Sequence, residues 1–185
     1  MRSVQALAVA VLSVLTVGDV SRATEPKSGG IFRIYHRDSP GSASIHEGAT
    51  YSVNIPFMPI FNNLVIFDQH VAQNSTSTIR PELAESWAWS GDNKTLTFKL
   101  RKDVKWHDGK PFTSADVLFS IEMLKQTHAR ARNNLVMVDK VEAPDDLTVV
   151  FTLKEPFGPF IGIFEVGSMP MVPKHLYEGT DFKTN

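Results

Sequence analysis

Six histidines are the side chains best suited to acid–base chemistry near neutral pH, and their spacing limits what they could do. His36, His46, His70, His107, His128 and His175 are scattered, with no pair at helical ligand spacing and no metalloprotease motif. His46-Glu47 sets an imidazole beside a carboxylate. Neighbouring side chains on an extended chain point apart, so this reads as a solvated or ligand-facing loop before it reads as a catalytic couple. His107-Asp108-Gly109 invites a Ser-His-Asp guess, yet the sequence has no Gly-x-Ser-x-Gly elbow, and Asp-Gly is ordinary turn chemistry. There is no Walker loop and no Rossmann glycine fingerprint. Without cysteine there is no disulfide framework, no Cys-ligated zinc and no thiol nucleophile. The residues suggest no catalytic set, no metal site and no cofactor.

Other chemistry-bearing groups read as structure. His128, Arg130 and Arg132 form a small basic patch, better suited to a solvated helix end than to a phosphate site. Trp87, Trp89, Phe98 and Trp106 fit a sheet core better than a ligand platform. With 19 Lys+Arg against 20 Asp+Glu in 185 residues, the net charge of −1 gives no basic surface for nucleic acid. A hydrophobic share of 42% excludes a wholly disordered chain, and the length suggests one domain or part of a larger one.

The elements that would position these groups follow from local patterning. Residues 31–35, Ile-Phe-Arg-Ile-Tyr, predict a first strand, and residues 38–44 are turn chemistry. Pro56 and Pro59 predict that any helix over residues 50–61 is short, kinked or broken. Residues 64–67 predict a buried strand. Alternation over residues 86–90 and 95–100, separated by Gly91-Asp92-Asn93-Lys94, predicts a hairpin with Leu96, Phe98 and Leu100 on one face. Thr113 is a natural N-cap with Asp116 three residues on, and Val117, Leu118, Ile121 and Leu124 recur at helical spacing, which predicts a helix over residues 114–126. Residues 136–141 and 147–153 predict a strand pair turned by Pro144-Asp145-Asp146. Short helices are expected over residues 157–164 and 173–177.

The N-terminus carries an address. Arg2 precedes an apolar run over residues 4–17, and Ser21-Arg22-Ala23 supplies small residues. This order predicts a secretory signal peptide over residues 1–23, cleaved after Ala23; the run is short for a membrane span, which needs about 20 apolar residues. Cleavage removes Arg2, Arg22 and Asp19, leaving a net charge of −2. Export in soluble form is the expectation.

Pro81-Glu82-Leu83-Ala84-Glu85-Ser86-Trp87, followed by the block over residues 96–117 that contains Val104-Lys105-Trp106-His107-Asp108-Gly109-Lys110-Pro111-Phe112-Thr113, resembles the signature of the family 5 extracellular solute-binding proteins. These are the peptide, oligopeptide and nickel receptors of bacterial ABC importers. The likeness runs over residues 29–178, including the opening Gly-Gly-Ile-Phe-Arg-Ile, Asn63-Leu64-Val65 before Asp68, and Val172-Pro173-Lys174-His175.

The resemblance implies an α/β fold with a mixed sheet and flanking helices, part of the N-terminal lobe of a two-lobe, type II-like periplasmic binding protein. Residues 24–185 would then be the N-terminal part of a longer family 5 domain. It implies a periplasmic component that encloses a small solute of the peptide class and delivers it to permease subunits of the inner membrane, without catalysis and without nucleic acid. A complete receptor is expected to be a monomer, and residues 24–185 alone are expected to bind peptide weakly. In such receptors the loop after the first strand lies at the cleft. By that resemblance His46, Glu47, Gly48, Ala49 and Thr50 are candidate ligand residues, with Glu47 facing a cationic group and Gly48 allowing close backbone approach. Asn133 and Asn134 are candidates of second rank. The block over residues 81–117 reads as scaffold. A secreted enzyme, or an inactive or sensory receptor fragment, are the alternatives; peptides, nickel complexes, haem and sugars are all admissible solutes.

Overall fold

The computed structural model describes residues 28–182, Phe32, Arg37 and Val166 excepted. The signal peptide expected over residues 1–23 lies outside the described residues. The chain divides into two units, residues 1–35 and residues 36–185.

In the first unit the described residues of the strand expected over residues 31–35 form no strand. Ile31, Arg33, Ile34 and Tyr35 have no regular structure, and Ile31, Ile34 and Tyr35 are exposed. Strand propensity is local, but a strand is stabilised by a hydrogen-bonded neighbour, and among the described residues none pairs with this segment.

Among its described residues the second unit holds two antiparallel sheets. In the smaller, β1 (Val65–Phe67) pairs with β2 (Ile79–Pro81), Val65 opposite Pro81 and Phe67 opposite Ile79. The larger has the order β3-β4-β6-β5, formed by β3 (Ala84–Trp89), β4 (Thr95–Leu100), β5 (Val138–Asp145) and β6 (Thr148–Leu153). The hairpin between β3 and β4 turns where expected, and Asn93 takes φ 55°, a left-handed conformation that asparagine tolerates. Leu96, Phe98 and Leu100 are buried on one face of β4, as the alternation requires. Phe98, Phe151, Phe160 and Phe164 meet edge to face on that side. Burying each ring stabilises the fold by roughly 1.5–3 kcal/mol.

Helix α1 (Tyr51–Phe57) contains Pro56 and gives way to a 3₁₀ turn at Met58–Ile60, the break the two prolines predict. Helix α2 (Ser114–Thr127) begins with the expected capping box: the Thr113 N–H donates to Asp116 Oδ2 at 2.9 Å. Its buried stripe of Val117, Ile121 and Leu124 packs over β5 and β6. The turn between β5 and β6 is tighter than expected, because the strand continues through Pro144 and Asp145. The Asp145 carboxylate then accepts from the Leu147 N–H at 2.9 Å and the Thr148 hydroxyl at 2.8 Å. The segment over 157–164 forms a 3₁₀ helix from Gly158, and α4 (Lys174–Tyr177) is the short final helix. Among the described residues α3 (Ala129–Asn134) is an α-helix that was not expected; it opens without an Asp, Ser or Thr cap.

Candidate solute-binding loop

The loop over residues 44–50 is held from three sides. Within it the Ser44 carbonyl accepts from the N–H groups of Glu47 (3.1 Å) and Gly48 (2.9 Å), closing a tight turn, and Ile45 is wholly buried. From α2 the Thr127 hydroxyl donates to the His46 carbonyl at 2.9 Å. From α4 the Tyr177 ring meets the His46 ring edge to face, centroids 5.3 Å apart.

His46 is therefore a packed side chain, buried to 2% exposure. Desolvation holds its pKa below the usual histidine value, against opposing pulls from Glu47 and the Phe182 backbone. Neither ring nitrogen completes a hydrogen bond of normal geometry, although the Phe182 backbone lies close enough to favour the charged ring. Glu47, Gly48 and Ala49 are half-buried and Thr50 is exposed. The Glu47 carboxylate has no ion pair and no side-chain hydrogen bond among the described residues, so it is an anion on a fixed loop with its acceptors free. Gly48 is a different case. A Cβ there would lie 2.8 Å from Val53 Cγ1, so the close approach that glycine allows is to the protein's own α1.

Asn133 and Asn134 lie in α3, not in a loop; Asn133 is exposed and Asn134 half-buried. The loop and α3 meet through other residues. The Arg130 guanidinium stacks over the Tyr51 ring at 5.6 Å, one residue beyond Thr50. His128, which the basic-patch reading placed at a solvated helix end, is wholly buried, and its Nδ1 accepts from the Ala131 N–H at 3.2 Å, capping α3. Burial first, then Arg130 and His46, lower its pKa to about 4. A histidine between two helices carries no composition signal for such a role, since only the tertiary surroundings remove it from water.

His107 is exposed, and Asp108 pairs with His175 at 2.7 Å while accepting from the Lys110 N–H. These bonds, the backbone one first, hold the Asp108 carboxyl below its usual pKa. Gly109 at φ 86° completes the turn, which joins the sheet side of the molecule to α4. Beside it is an apolar cavity of about 210 Å³ that sequence reasoning missed, with Phe61, Trp106, Met171, Leu176 and Tyr177 in its walls. Tyr177 thus faces both the cavity and His46. Among the described residues no group of three His, Asp or Glu side chains could hold a metal ion, and no helix is long and apolar enough to cross a membrane.

The family model for bacterial extracellular solute-binding proteins, family 5 Middle, matches residues 78–185, which is more than half of the chain. The chain belongs to this family. A relative from Sinorhizobium fredii, named as a probable peptide ABC transporter periplasmic-binding protein, is 38% identical over 104 residues, covering 55% of this chain and 20% of the relative. The crystal structure of Haemophilus influenzae OppA with the peptide RPPGFSPFR superimposes with a TM-score of 0.66 at 28% identity, covering 76% of this chain and 30% of that one. NikZ of Campylobacter jejuni, in complex with Ni(L-His), gives 0.63 at 28% identity, covering 80% of this chain and 28% of that one. The chain therefore spans between a fifth and a third of the length of these family 5 proteins. Its fold corresponds to part of one lobe of a two-lobe binding protein. The family matched is one of solute-binding proteins, and the relative and the solved structures named here are binding proteins, not enzymes.

Proposed function

We propose that this chain forms part of a periplasmic receptor that captures peptides and delivers them to the permease of an ABC importer, after export through a cleaved signal peptide. The observation that carries the peptide reading is the Glu47 carboxylate, half-buried on a loop pinned by Thr127 and Tyr177 and without an ion-pair partner among the described residues. A charge held in advance at a partly dry position attracts a cation with little ordering cost. The free amine of a peptide is such a cation. Thr50 and the Arg130–Tyr51 pair next to the loop would then border the bound chain. The names of the relative from S. fredii and of OppA support peptide as the solute class, while NikZ marks the breadth of the family.

Native mass spectrometry of the full chain with a millimolar mixture of di- to pentapeptides tests the reading. One-to-one complexes that return every peptide uncleaved are expected. Cleaved peptides, or no complex at any peptide length, would overturn it.

A further inference from the structure

The junction between α2 and α3 is built around an imidazole. His128 ends α2, its N–H donating to the Leu124 carbonyl at 3.0 Å, and it opens α3 by accepting from Ala131 through Nδ1. An accepting Nδ1 places the proton of the neutral ring on Nε2, which is buried and has no partner among the described residues. Thr127, the preceding residue, donates to the carbonyl of His46, so the residue that holds the loop adjoins the one that caps the helix. The groups facing His128 are Arg130 from α3 and His46 from the loop. His46 in turn faces Glu47 and the Tyr177 ring.

We propose that His128 is an acid-sensitive latch: a proton on Nδ1 breaks the α3 cap and frees the loop over residues 44–50. The proton turns the acceptor into a donor pointing at another donor, the Ala131 N–H. It also sets a positive charge in a buried position beside Arg130. With two N–H donors buried, the closed arrangement cannot satisfy the ring, and the ring moves outward. Thr127 moves with it, and the His46 carbonyl loses its donor. The sign is fixed by the lowered pKa. The open state binds the proton near the ordinary value of 6.5 and the closed state only near 4, so the latch is fully closed above pH 6.5 and weakens as pH falls towards 4. His46 and Glu47 modulate the opening. Protonated His46 would repel the charged His128, and Glu47 offsets part of that repulsion.

The role of the latch in solute release rests on the proposed function, but its test needs no solute. Amide hydrogen exchange of the full chain is followed from pH 7 to pH 4, corrected for intrinsic exchange, in the wild type, His128→Asn and His46→Phe. Asparagine can cap α3 through its side-chain oxygen and does not titrate; phenylalanine keeps the ring contact with Tyr177. Exchange at Glu47, Gly48 and Ala131 is expected to rise about tenfold or more between pH 6.5 and 4 in the wild type and in His46→Phe, and to stay flat in His128→Asn. An acid transition that persists in His128→Asn, or no transition in the wild type, would overturn the latch. Peptide complexes at pH 7 without an acid transition would sink the latch and leave the receptor reading standing. A transition without peptide complexes would do the reverse.

Discussion

The Thr127 hydroxyl lies between two carbonyls, 3.0 Å from that of Met123 in its own helix and 2.9 Å from that of His46 in the loop eighty-one residues earlier. One hydroxyl proton serves a helix end and fixes the loop that carries Glu47. Thr127→Val keeps the shape and removes the donor. Losing such a bond costs about 1 kcal/mol. Amide exchange at Glu47 and Gly48 is expected to quicken while the helical circular dichroism signal stays constant; unchanged exchange would mean that the loop is held without Thr127.

Gly48→Ala is expected to destabilise the fold. The new methyl would meet Val53 Cγ1 at 2.8 Å, and Val53 is itself buried, at 5% exposure. Overpacking of this kind costs about 1–3 kcal/mol. The urea midpoint should drop, and Val53→Ala added to the same chain should recover part of the loss.

Asp116 ties three elements together. Its Oδ2 accepts from the Thr113 N–H and its Oδ1 from the Lys174 N–H at 3.0 Å, so the cap of α2 also anchors α4, and through α4 the Tyr177 ring against His46. Asp116→Ala leaves two N–H groups without their acceptor, a loss of about 2–3 kcal/mol. Thermal melting should show it, and Asp116→Asn, which keeps one acceptor oxygen, should lose less.

Much of this fold was legible because its signals are local. The Thr113–Asp116 box lies within four residues, and the alternation of Leu96, Phe98 and Leu100 needs only the period of a strand. The loop over residues 44–50 was singled out by family resemblance, not by its own chemistry. What stayed hidden depends on distant neighbours. His46 is dry because Tyr177 covers it, His128 caps a helix because Ala131 folds back on it, and Gly48 is needed because Val53 is pressed against it. Ile31, Arg33, Ile34 and Tyr35 show the converse: propensity was present, and no strand among the described residues pairs with them.

The signal peptide expected over residues 1–23 makes its own prediction. Residues 1–23 should be absent from exported protein, and N-terminal sequencing should begin at Thr24. An intact Met1 or Arg2 in the exported fraction would contradict cleavage.

The most direct test of the receptor reading is an NMR titration of the full chain with a tripeptide at millimolar concentration, repeated with the N-acetylated tripeptide and with Glu47→Gln. Amide shifts centred on residues 44–50 are expected with the free amine. Acetylation and Glu47→Gln should each weaken binding about tenfold, equivalent to about 1.4 kcal/mol. Binding that is indifferent to both changes, or shifts that fall elsewhere on the fold, would contradict the account.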